Sequence, residues 1–267
     1  MDLGLSGKRA VVTGSNRGTG AVIARVLAGE GATVFVHGNA PGDQEAIAAA
    51  IVAGGGSAHA VTGDLTTDAG AAQVVTAIDG AVGGIDVLVN NFGQATSGTW
   101  DDPTTEGFIR SYEVNTLSSV RMIRGFLSGM RERGQGRIVQ LTTIGTTRPG
   151  SRMPEYYAAK GALATLTVSL SKELAGTGVT VNTVSPGLIR TPEMEAYFGH
   201  LAVKHGWGDV WEDIEARGVH KLTGVRVRRM ARPEEVADLV AFLASERAAY
   251  LTGGNYRVDG GATDSVH

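Results

Sequence analysis

Strand-length apolar runs alternate with helix-patterned segments along almost the whole chain, and this alternation restricts the fold more than any single motif does. Strands are expected at Arg9–Thr13, Thr33–Val36, Ala58–Thr62, Val87–Val89, Arg137–Leu141, Val179–Val184 and Asn255–Val258. Between them the periodicity predicts helices ending near Gly29, over Asp43–Val52, Asp68–Val82 and Glu106–Arg131, and from Tyr156 through Leu174. Such spacing implies right-handed βαβ units, and hence an α/β fold with a doubly wound parallel sheet between two helical layers. At 267 residues and 42% apolar content the chain can bury one large core. No linker, repeat or low-complexity segment divides it, so a single domain over 1–267 is expected.

In sheets of this kind a ligand lies beyond the carboxyl ends of the strands, near the point where strand order reverses. The unusual groups of this sequence all follow strands: Gly14, Gly18 and Gly20, Asp64, Asn90-Asn91-Phe92-Gly93, Thr143, and Ser185-Pro186-Gly187. Their shared placement argues for one site. Tyr156 and Lys160 stand four apart on a predicted helix and so share a face. A nearby ammonium stabilises a phenolate and draws the phenol pKa down from its usual value of about 10. Alone, such a pair is ordinary surface-helix chemistry, and two threonines after a strand are ordinary turn chemistry. The convergence of the other groups favours a functional reading.

The turn after the first strand reads Gly14-Ser15-Asn16-Arg17-Gly18-Thr19-Gly20. Its glycines let the backbone approach a pyrophosphate held at a helix N-terminus; the plainer alternative is a glycine-rich βα turn. An NAD site would place an acid at the end of the second strand to hold the ribose 2′-hydroxyl. This chain has His37-Gly38-Asn39 there, with no acid before Asp43. Arg17, within the turn, offers a guanidinium to a 2′-phosphate, so NADP(H) is expected over NAD(H).

Thr13-Gly14…Gly18…Gly20, Asp64-Leu65, Asn90-Asn91-Phe92-Gly93, Asn115, Thr143, Tyr156…Lys160 and Pro186-Gly187…Thr191 together resemble the classical short-chain dehydrogenase/reductase family, in order and spacing, from Leu5 to Gly261. The resemblance implies a Rossmann-type fold, nicotinamide-linked interconversion of a carbonyl and a secondary alcohol (3-oxoacyl substrates included), and a homotetramer. By the same resemblance Tyr156 is the general acid/base. Lys160 lowers its pKa and holds the nicotinamide ribose, and Asn115 anchors a water that links Lys160 to solvent. Thr143 would polarise the substrate carbonyl. Asp64 with Leu65 meets the adenine, Asn91 and Gly93 pack on the adenosine ribose, and Pro186, Gly187, Ile189 and Thr191 line the carboxamide end. Asn16, His37 and Asn39 complete the expected cofactor-binding set.

Two positions depart from the family pattern. Thr143 stands where a serine is usual, thirteen residues before Tyr156, and keeps the hydroxyl while adding a methyl. Phe92 replaces a small residue and is expected to narrow the cleft. Substrate choice is expected in a lid at about 191–230, carrying Met194, Tyr197, Phe198, Trp207 and Trp211. These side chains would either face a sizeable apolar or ring-containing carbonyl, or pack the lid against its own body or a neighbouring subunit.

Charge and composition narrow the remaining classes. A net charge of −3 and a pI near 6.1 give no attraction to nucleic acid or an anionic membrane. There are no cysteines, and the six histidines lack ligand spacing, so no metal site is expected. No apolar run is long enough to span a bilayer, and the N-terminus lacks a signal-peptide layout, so a cytoplasmic protein is expected. The rival to an enzyme acting on a small carbonyl or alcohol is a regulator that binds NADP without turnover. Such a protein has little use for the Tyr/Lys/Asn set with a hydroxyl at 143.

Overall fold

The computed structural model describes residues 2–219 and 224–264. Seven parallel strands form one sheet: β1 (Arg9–Val12), β2 (Thr33–Gly38), β3 (Ser57–Thr62), β4 (Val87–Asn90), β5 (Gly136–Leu141), β6 (Val179–Pro186) and β7 (Asn255–Val258). Their order is β3-β2-β1-β4-β5-β6-β7, which reverses between β1 and β4. Every residue of β4, β5 and β6 is buried, the pattern of strands covered on both faces.

Alternate strand residues feed two cores. Ala10 and Val12 of β1 join Ile23 and Leu27 of α1 (Gly18–Gly29), Ile51 of α2 (Asp43–Ala53) and Val236 and Val240 of the Pro233–Ala244 helix. Val11, on the opposite face, joins Val74 and Ile78 of α3 (Asp68–Val82) and Met122, Phe126 and Met130 of α5 (Ser118–Glu132). Each large aliphatic side chain so buried contributes about 1.5–3 kcal/mol. These two layers hold the strand ends, and therefore the loops beyond them, in fixed register.

The helix expected over Glu106–Arg131 is interrupted. α4 (Thr105–Tyr112) passes into a π-helical turn, Glu113–Leu117, before α5 begins. Asn115 Nδ2 donates to Ser111 O at 3.1 Å, and Ser118 Oγ donates to Val114 O at 2.7 Å. Side chains that occupy the helix's own carbonyls open the turn there. The next helix, α6 (Pro154–Glu173), starts with proline at its first position, where the missing N–H costs nothing. Beyond β6 come α7 (Pro192–His205), α8 (Trp211–Ile214) and then α9, the Pro233–Ala244 helix.

Candidate active site

Two loops meet beyond the β1/β4 reversal. Thr13 Oγ1 accepts from the backbone N–H of Asn91 (3.0 Å) and of Phe92 (2.9 Å). Asn91 Nδ2 donates in return to Thr13 O and Gly14 O, at 3.0 and 2.9 Å. A Cβ on Gly20 would strike Asn91 Nδ2 and Gly14 O, so the closeness of this junction requires glycine at position 20.

The Arg17–Gly20 end of that junction suits an anion. Arg17 is the N-cap of α1 yet gives it no side-chain cap, which leaves the first-turn N–H groups unoccupied by the chain. Gly14 and Gly18 take φ of +61 and +56, and a Cβ on Gly18 would stand in open space. The residues present therefore fit the pyrophosphate of a dinucleotide. Asn16 lies half-buried in the same turn. Arg17 is exposed and its Nη1 stands 3.4 Å from Glu193 Oε1 on α7. An ion pair this exposed contributes about 0–1 kcal/mol and leaves the guanidinium available.

His37 occupies a different place from the one expected. Its side chain is fully buried; Nδ1 accepts from Gly14 N–H at 3.0 Å, which leaves Nε2–H to donate to Gly63 O at 2.9 Å. Burial pushes its pKa below the usual histidine value and favours this neutral form. With both ring nitrogens committed, His37 supports the glycine turn from beneath and offers no donor to a ligand. Phe92 is likewise turned inward. Its ring meets His37 edge-on at 6.4 Å and packs on the second core, so it fills space behind the cleft rather than narrowing it. Asn39 remains at the rim, where Nδ2 donates to Asp64 Oδ1 (2.7 Å) and Oδ1 accepts from Leu65 N–H (3.3 Å). Hydrogen bonds from Thr66 and Asn39 hold the Asp64 carboxyl below the usual range.

The Tyr156, Lys160 and Asn115 group lies beyond β4 and β5. A Cβ placed on Gly93 would stand 2.7 Å from Asn115 Oδ1 and 3.0 Å from Lys160 Nζ, so these groups flank one point of the backbone. Asn115 is buried at the π-helical turn; Oδ1 accepts from Gln94 N–H (2.9 Å) and Nδ2 donates to Gln94 O (3.0 Å). Lys160 Nζ donates to Leu141 O at 2.8 Å, which ties α6 to the end of β5. Burial lowers the Lys160 pKa to about 8 and raises that of Tyr156 to about 12, with Tyr157 adding to the latter. In the protein alone the phenol pKa is therefore raised rather than lowered, with desolvation of the phenolate as the main cause.

The two threonines after β5 separate as strand alternation requires. Thr142 is buried and committed, its Oγ1 2.7 Å from Ser185 Oγ and 3.2 Å from Val184 O. Thr143 is half-buried and its Oγ1 accepts one long bond, 3.3 Å, from Gly145 N–H, which leaves its hydroxyl proton uncommitted. Tyr157 faces Gly145, where a Cβ would collide with its ring.

On the far side, Gly187 N–H donates to Val258 O, Ile189 bridges Ala231, and Pro186 ends β6. Thr191 caps α7 by accepting from Met194 N–H at 3.4 Å. Of the expected lid, residues 220–223 lie outside the described residues. Phe198, Ile214 and Val219 form a third apolar cluster with Met194, Trp207 and Trp211 packed on it. That cluster also takes in Ala262, Ile144 and Leu188, so these aromatics pack the segment on the body of the domain, with Tyr197 left 54% exposed. Glu155, which the sequence marks only as a first-turn acid, is buried beside Asn115.

A glycine-lined anion cradle at a sheet reversal, beside a Tyr/Lys/Asn group, defines a nicotinamide-dinucleotide oxidoreductase. Known proteins agree. Residues 14–263 match the model of a family described as Enoyl-(Acyl carrier protein) reductase. L-Sorbose reductase from Gluconobacter frateurii, solved with NADPH and L-sorbose, superposes with a TM-score of 0.93 at 34% identity over 100% of both chains. The 3-oxoacyl-[acyl-carrier-protein] reductase of Vibrio cholerae is 33% identical over 97% of this chain and 98% of its own. An acetoacetyl-CoA reductase from Allochromatium vinosum is 34% identical over 94% and 97%. The chain belongs to the classical short-chain dehydrogenase/reductase family. It is an NAD(P)-dependent oxidoreductase of a small-molecule carbonyl/alcohol pair. No described helix is long and apolar enough to cross a membrane.

Proposed function

We propose that the protein is an NADP(H)-preferring ketone reductase in which Tyr156 exchanges the substrate proton, Lys160 and Asn115 serve that exchange, and Thr143 holds the carbonyl. The observation that carries this reading is the meeting of Lys160 Nζ and Asn115 Oδ1 at Gly93, just beyond β4 and next to the strand, β5, that Thr143 follows. A bound nicotinamide supplies the hydride. Tyr156, kept neutral by burial, is in the form that can give up a proton as charge grows on the substrate oxygen. A regulator that only binds the dinucleotide has little use for Tyr156 beside an uncommitted hydroxyl at Thr143. Incubation with NADPH and either L-sorbose or acetoacetyl-CoA, followed by cofactor absorbance, tests the reading. Cofactor binding with no oxidation by these or any other ketone of a broad panel would favour the regulator.

The NADPH preference rests on Arg17 and on the absence of an acid at the end of β2, where the chain reads His37-Gly38-Asn39. Arg17→Ala is expected to weaken NADPH by about 1.5–3 kcal/mol, the range for a hydrogen bond to a charged group, and to change NADH little. Titrations with both cofactors check this; equal weakening would exclude Arg17 as the discriminator.

The 191–230 segment is proposed as the substrate lid, with the exposed Tyr197 as its free aromatic contact. A homotetramer is also proposed. Ile109 and Tyr112 on α4 and Leu166 and Val168 on α6 are exposed apolar side chains on the helices the family pairs between subunits. Light scattering at micromolar concentration should give four times the 27.6 kDa chain mass; a particle of 27.6 kDa would rule assembly out.

A further inference from the structure

Glu155 has no assigned part in the site, yet its environment is unusual for a carboxylate. It is only 7% exposed, and its Oε2 is buried without a hydrogen-bond partner. The side chain lines a cavity of about 360 Å³ shared with Gln94, Thr96, Glu106, Arg110 and Asn115. Thr96 Oγ1, in the same wall, is also buried without a partner. The cavity opens to solvent and has room for several waters.

The cavity reaches the point where the proton machinery is otherwise sealed. Lys160 is 3% exposed and Asn115 is 1% exposed. Asn115 stands between the two compartments: it lines the cavity on one side, and its Oδ1 flanks Gly93 with Lys160 Nζ on the other. A lysine that recharges Tyr156 must itself be recharged from solvent. Glu106 and Arg110 of α4 are the other charged groups facing the cavity, the loop contributes only Gln94 and Thr96, and Tyr156, Tyr157 and Lys160 adjoin Glu155 on its own helix. Glu155 is the buried carboxyl of that set. Its position in the first turn of α6 also suits the helix dipole, but that role needs no cavity and no unpaired oxygen.

We infer that Glu155 is a proton-relay residue, passing protons between solvent in this cavity and Lys160 past Asn115. In reduction the substrate oxygen takes the Tyr156 proton, and the phenolate draws on Lys160. The Glu155 carboxylate takes a proton from solvent and passes it through cavity water to the resulting amine. One proton passes inward per turnover, and the chain carries no electrons.

This inference rests on the reading of Tyr156 and Lys160 as the proton-exchanging pair, which Tyr156→Phe tests separately. The relay itself can be read without cofactor or substrate. In the full-length protein labelled with ¹⁵N-lysine, NMR measures how fast the Lys160 ammonium exchanges with solvent. Glu155→Gln should slow that exchange on the order of a hundredfold, the low end of what a positioned acid/base supplies. Added formate should restore part of the rate, and Glu155→Asp, which keeps a carboxyl, should exchange faster than the Gln variant. Equal rates in wild type and Glu155→Gln would overturn the inference. So would a slowed rate that formate leaves unchanged and that Asp and Gln variants share, since that pattern belongs to a packing role.

Discussion

Tyr156→Phe should abolish nearly all turnover while leaving cofactor affinity almost intact. The substitution removes one oxygen and keeps the ring, so packing against Tyr157, whose ring lies 5.9 Å away, is retained. What is lost is the group placed to exchange the substrate proton, a contribution of about 10²–10⁴-fold or more in rate. Tyr157→Phe is the internal control. Tyr157 lies one residue on, about 100° around the helix, with its ring over Gly145. It should keep most of its activity. Steady-state kinetics and cofactor titration on both variants decide the matter: comparable losses in the two would mean that Tyr156 is not the acid/base.

At Thr143 the hydroxyl is expected to matter and the methyl is not. Thr143→Ser should retain activity, whereas Thr143→Val, which keeps the branched shape, should lose about 10²–10³ in kcat, the cost of removing one donor from a reacting oxygen. The structure sharpens the comparison with its neighbour. Thr142 Oγ1 is committed to Val184 O and Ser185, so Thr142→Val should appear as lost stability in a thermal melt more than as lost turnover. If Val at 143 cost little and Val at 142 removed activity from a folded protein, the assignment would have to move to Thr142.

Strand and helix periodicity made the sheet and the placement of its loops legible, because that signal is local and repeats along the chain. The Tyr156/Lys160 pair and the glycine turn were readable for the same reason: each is written within a few residues. What escaped depends on partners far away in sequence. His37 looked like a rim residue, but the groups that hold its ring, Gly14 and Gly63, lie 23 and 26 residues away. Phe92 packs edge-on against that same histidine, another partner distant in sequence. Asn115 bonds both its own helix and Gln94, and neither spacing nor composition shows the π-helical turn that permits it. The lid's aromatic content was plain, but the direction each ring faces is set by the third apolar cluster.

The buried His37 also limits where this chain could place an acid for the ribose 2′-hydroxyl of NAD(H). An acid that grips a ribose 2′-hydroxyl needs an open position near the end of the second strand. At 37 a carboxylate would be sealed from water between a donor, Gly14 N–H, and an acceptor, Gly63 O, and would repel the latter. A buried charge left with such a partner costs several kcal/mol. Position 39, half-exposed and already bonded to Asp64, is the open one, but a second carboxylate there would face the first. Placing such an acid therefore calls for coordinated changes at 39 and 64, with the histidine beneath them left in place.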